Sequence, residues 1–163
     1  MNFEQQFTYF FYQNLLEIIG DSSKLKEAAV GFQQSCIRSD NSRYLCKEKF
    51  GLQKWSDENA ANFSGAVAEA LKLTTEQFQF NCLKEVQDAS DNIKTKIAPS
   101  LAERANTAAP HDPFLKLRDV ISGAMGDLRA KKYNRYQLFA IAATVVVTLG
   151  VTAAVALGAN QSK

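Results

Sequence analysis

Histidine is nearly missing from this chain: His111 is the only one in 163 residues. One imidazole, set between Pro110 and Pro113, rules out histidine-rich metal sites and the two-histidine helix of zinc proteases. Cysteine is scarce as well. Cys36, Cys46 and Cys82 make an odd set with no CxxC or CxxH spacing, so neither a zinc site nor a complete disulfide framework is expected. We read them as small buried side chains in a reducing compartment. No glycine-rich phosphate loop and no nucleophile elbow occurs, and no motif ties any of the three thiols to His111 as a catalytic pair. The acidic pair Asp57 and Glu58 fits the first turn of a helix, where the amides favour anions, better than acid–base work. The expectation is a protein that is not an enzyme, with no cofactor, no metal and no small-molecule substrate.

Positive charge is missing from residues 1–23, which carry Glu4, Glu17 and Asp21 and no Lys or Arg. That stretch also has no small-residue cleavage site, so it does not read as a secretory signal. Farther along, the sign alternates: residues 24–54 carry a net +4, 55–92 a net −5 and 93–136 a net +5. Alternation of this kind suits helices that meet one another, and it argues against a broad polyanion-binding face. Nucleic acid is not an expected partner.

What the chain does have is one long run without charge. From Leu138 it reads LFAIAATVVVTLGVTAAVALGA, 22 residues to Ala159, about 33 Å as a helix against a hydrocarbon core of about 30 Å. Its ten strongly apolar residues are Leu138, Phe139, Ile141, Val145, Val146, Val147, Leu149, Val151, Val155 and Leu157. Together they favour insertion by about 3 to 6 kcal/mol. Arg129, Lys131, Lys132 and Arg135 precede the run and only Lys163 follows it, which places the preceding domain in the cytoplasm. Tyr133 and Tyr136 stand at the same border, where an aromatic ring with a polar tip is at home, and the cations suit anionic lipid. The chain is read as tail-anchored, with 137–159 as a single-pass transmembrane helix and 160–163 as a short tail. Gly150, Ala154 and Gly158 recur at four-residue spacing on one face of the span, where a second helix could approach closely.

The rest reads as helices. Phe3, Phe7, Phe10, Phe11, Leu15, Ile18 and Ile19 recur at steps of three and four, predicting an amphipathic helix over 3–19. Its polar face lacks Lys and Arg, so it reads as core-packing and not membrane-lying. Asp21 to Ser23 caps a second helix through Leu25, Phe32 and Cys36, and a less regular one follows over 43–55. Ser56 opens a helix through Phe63 and Leu71. Thr74 with Gln77 resembles a capping box that starts another through Phe78, Cys82, Val86 and Ile93, closing before Pro99. Residues 99–112 read as a linker with a helical turn or two near Leu101 to Asn106. Asp112 and Pro113 then start a juxtamembrane helix over 113–136. On it Phe114, Leu117, Ile121, Ala124 and Leu128 form a short heptad seam.

The expected fold class is all-α: a cytosolic helical bundle over 1–98, about five or six helices in all, followed by the C-terminal transmembrane helix. The expected function is non-enzymatic, a cytosol-facing interaction domain that recruits a protein partner or assembles with copies of itself. The bilayer is the other partner. The alternative is a bilayer-perturbing, permeability-regulating protein that works through its aromatic first helix.

Overall fold

The computed structural model describes residues 1–38, 44–106 and 112–131. The chain divides into two compact units, Met1–Gly126 and Asp127–Lys163. All secondary structure among the described residues is helical. Among them, no helix is long and apolar enough to cross a membrane. The predicted span lies outside the described residues, as do Lys132, Tyr133, Arg135, Tyr136 and His111.

Helix α1 covers Phe3–Ile19, the span predicted from its apolar stripe. A capping box fixes its start: the Asn2 side chain accepts from the Gln5 amide at 2.8 Å, and the Asn2 amide donates to Gln5 Oε1 at 3.1 Å. Two of the amides that a helix start leaves without partners are satisfied this way. Phe7, Phe11 and Leu15 are fully buried. α1 ends at Gly20. Asp21 then accepts from the Ser23 and Lys24 amides and starts α2, Ser22–Arg38.

Helix α3, Tyr44–Phe50, stops at Gly51, whose φ of +67° few other residues tolerate. The Leu52 amide reaches back to the Lys47 carbonyl at 2.7 Å and the Gly51 amide to that of Glu48 at 3.4 Å. This double closure lets Leu52 turn into the core. Trp55 is buried there too, its ring 5.3 Å from Phe63 and 5.9 Å from Phe114.

Helix α4, Asp57–Gln77, is the centre of the bundle and packs against both α1 and α2. Ser56 caps it by accepting from the Asn59 amide at 3.2 Å. At Gly65 the α2 backbone comes so close that an added Cβ would lie 2.6 Å from the Ala28 carbonyl oxygen. Only the absence of a side chain permits that approach.

Two expectations are corrected in the next stretch. Thr74 does not open a helix; it lies inside α4, buried, where its hydroxyl donates to the Ala70 carbonyl at 2.7 Å and accepts from Asn14 Nδ2 at 3.0 Å. The break comes instead at residues 78–82, and α5 covers Leu83–Asn92. Nor does the chain leave the helix at Pro99. A wide turn, Ile93–Ile97, leads into α6, Ala98–Asn106, in which Leu101, Ala102 and Ala105 are buried. Proline has no amide hydrogen to offer four residues back and its ring crowds that carbonyl. Widening resolves the conflict, with the Ala98 amide bonding the Ile93 carbonyl five residues back. Much of the stretch read as a linker over 99–112 is thus core-packed helix.

Helix α7 covers 113–131. Asp112 accepts from the Phe114 and Leu115 amides at 2.9 and 3.4 Å, with Pro113 in the first helical position, as predicted. Leu117, Val120, Ile121 and Met125 are buried.

Candidate functional site

The described surface carries few large apolar side chains, and two of the most exposed lie where α4 gives way to α5, one on the turn and one at the first residue of α5. Phe80 is 93% exposed and Leu83 79%. The turn owes its position to Phe78, which folds back onto α1. Its ring lies 5.4 Å from that of Phe3, 5.3 Å from Phe7 and 5.5 Å from Phe10. Rings at these separations gain about 0.5 to 1.5 kcal/mol per pair beyond area burial, which holds the end of α4 against α1. The Phe78 amide still caps that helix by donating to the Thr74 and Thr75 carbonyls.

Asn81 closes the turn. Its amide donates to the Phe78 carbonyl at 3.0 Å and its side-chain Nδ2 donates to the same oxygen at 3.2 Å. Phe80 therefore projects from a closed turn. Cys82 follows at the N-cap of α5 with no side-chain capping bond, and it is exposed. This corrects the reading of Cys82 as a buried side chain. Cys36 is half-buried, and the Cys46 side chain lies outside the described residues.

The surroundings are acidic. Between residues 76 and 92 stand Glu76, Glu85, Asp88 and Asp91 with one cation, Lys84. Lys84 Nζ pairs with Asp88 at 2.9 Å, which raises the lysine pKa above its ordinary value. Asp91 has Lys94 at 3.8 Å. The end of α5 meets the start of α1, where Asn92 Nδ2 donates to Glu4 Oε1 at 2.7 Å.

A comparison with protein families finds that the sequence model described as Effector protein MavE matches residues 3–111. The chain belongs to the MavE family. The matched stretch runs from the first residue of α1 past the end of α6, so the MavE-type region contains the aromatic turn, while α7 and the uncharged run lie beyond it. No curated protein and no solved structure matches the chain.

The residues singled out from the MavE-family sequence are distributed as follows. Of the heptad seam, Leu117 and Ile121 are buried, Phe114 packs edge-on against Trp55, and Ala124 and Leu128 are half-buried. Leu117 and Ile121 are thus already covered within the single chain. Arg129 and Lys131 are exposed at the end of α7. The anchor residues 138–157 and the small-residue stripe Gly150, Ala154 and Gly158 lie outside the described residues. Among the described residues no group of His, Cys, Asp and Glu is arranged to hold a metal ion. Sequence reasoning passed over Phe80 and Leu83. The available signal was their position off the Phe78, Cys82, Val86 stripe, two apolar residues that a continuous helix would have pointed at solvent.

Proposed function

We propose that this MavE-family chain is a bacterial effector that works without catalysis. In this reading it is anchored in a membrane through residues 138–159 and holds its helical domain on the cytosolic side, to recruit a protein or to assemble with copies of itself. The observation that carries the proposal is the 22-residue uncharged run with Arg129, Lys131, Lys132 and Arg135 on its N-terminal flank, since a span that long with that asymmetry favours a transmembrane helix with the domain inside. The family's description as an effector fits a recruiting role. Burial of Phe7 and Phe11 supports recruitment over bilayer perturbation, because these two rings are committed to the core and leaving it would cost several kcal/mol each.

The test is the distribution of a tagged full chain against one cut after Arg135, followed by microscopy and fractionation in a eukaryotic cell. The full chain is expected on membranes and the shortened one in the cytosol. Equal distribution of the two would overturn the anchor.

A further inference from the structure

The α4–α5 turn presents an aromatic and an aliphatic side chain to solvent from a closed backbone, and its flanks are acidic. From this we propose that Phe80 and Leu83 form the docking knob of the domain, and that its occupant is a protein with an apolar pocket rimmed by Lys or Arg. The proposal rests on the recruiting reading above and assigns that role to a place in the fold.

Phe78 and Phe80 have opposite fates on the same short turn. Phe78 is surrounded by three rings of α1, whereas Phe80 is almost wholly exposed. The paired bonds from Asn81 to the Phe78 carbonyl hold the turn closed in the unbound chain. Less backbone entropy is then lost on docking, and a rigid aromatic anchor is the kind of residue that dominates binding energy. Phe10, 38% exposed and packed against Phe78, extends the apolar surface on the α1 side.

Charge selects the occupant. Glu76 in the last turn of α4 and Glu85 in the first turn of α5 bracket the knob, both exposed, while Lys84 is engaged by Asp88. The cytosolic face of a membrane is negative and attracts basic segments, so this surface would be repelled by it. Two copies meeting through the same patch would set acid against acid. A partner with basic residues around an apolar cavity satisfies both the rings and the carboxylates, and its approach would be accelerated by charge.

The experiment uses the full chain expressed in a eukaryotic cell, with a benzophenone photo-cross-linking residue at position 80 and, separately, at the exposed Val30 on α2 as control. Position 80 is expected to yield an adduct with one protein, whose cross-linked segment maps to an apolar pocket flanked by Lys or Arg. With that protein purified, Phe80→Ser combined with Leu83→Ser should weaken binding by about thirtyfold or more. Glu85→Lys should slow association and weaken its acceleration at low salt. Unchanged melting temperatures would show that these exposed substitutions leave the fold intact. An adduct at position 80 with lipid, with a second copy, or with a segment lacking basic residues would overturn the proposal, as would unchanged affinity in the double variant. A protein adduct at position 30 and none at 80 would overturn the knob and leave recruitment standing. No protein adduct at either position would overturn both.

Discussion

The two ends of the aromatic population of this chain differ in what they are for. On α1 and α4, Phe7, Phe11 and Phe63 are fully buried, and the caps at Asn2 and Ser56 are satisfied. Across the α4–α5 turn, Phe80 and Leu83 stay in solvent and Cys82 leaves its helix start uncapped. The first region is built on buried rings and satisfied helix starts. The second leaves apolar area uncovered, and what is uncovered in the isolated domain is available to another molecule. Stability and the proposed docking are thereby assigned to different parts of the fold, so they should respond separately to substitution.

The largest effect is expected in the first region. Phe11→Ala removes a fully buried ring and should destabilise the domain by about 4 kcal/mol, read as a large fall in denaturation midpoint. A loss below about 1 kcal/mol would mean that Phe11 is not in the core. Next comes Gly65→Ala, which drives a Cβ to 2.6 Å from the α2 backbone. Separating two packed helices should cost about 2 to 3 kcal/mol, measured by denaturant titration. Cys82→Asp works in the opposite direction. An acceptor at the uncapped start of α5 should add about 1 kcal/mol, and no gain would show that α5 does not begin there. Phe80→Ser closes the series, with a change within about 0.5 kcal/mol in the isolated domain, because there is little packing to lose.

One titration sharpens the same contrast. Burial of Tyr12 raises its pKa above the ordinary 10.0, with the nearby positive charge of Arg104 offsetting part of the rise. Below pH 10 the phenol is neutral in both folded and unfolded chains and costs nothing. As pH rises past the unfolded value, the unfolded chain releases its proton first, so stability falls until the folded value is passed. Tyr12→Phe should flatten that alkaline decline, which a pH series of thermal melts would detect.

Much of this architecture could be read from local chemistry. The α1 stripe, the Asp21, Ser56 and Asp112 starts and the Pro113 position are encoded within a few residues of where they act, and the structure places helices accordingly. The errors arose where distant contacts decide. A helix from Thr74 through Ile97 has a consistent apolar stripe, and nothing within it reveals that Phe78 stacks on three rings sixty and more residues earlier in the chain. Pro99 carries a strong stop signal, yet Leu101, Ala102 and Ala105 have core positions to fill, and one widened turn lets the helix continue. The exposure of Phe80 and Leu83 was legible from their place off the apolar stripe, whereas the closed turn that presents Phe80 depends on the distant contacts of Phe78.

Membrane anchoring, as proposed, requires the final uncharged run to prefer hydrocarbon. Alkaline carbonate extraction of membranes from cells producing the intact chain addresses it directly, with the version cut after Arg135 alongside. The intact chain is predicted to remain in the pellet with integral membrane proteins, and the shortened one to be released. Release of the intact chain into the supernatant would contradict the anchor and, with it, the placement of the domain at a membrane.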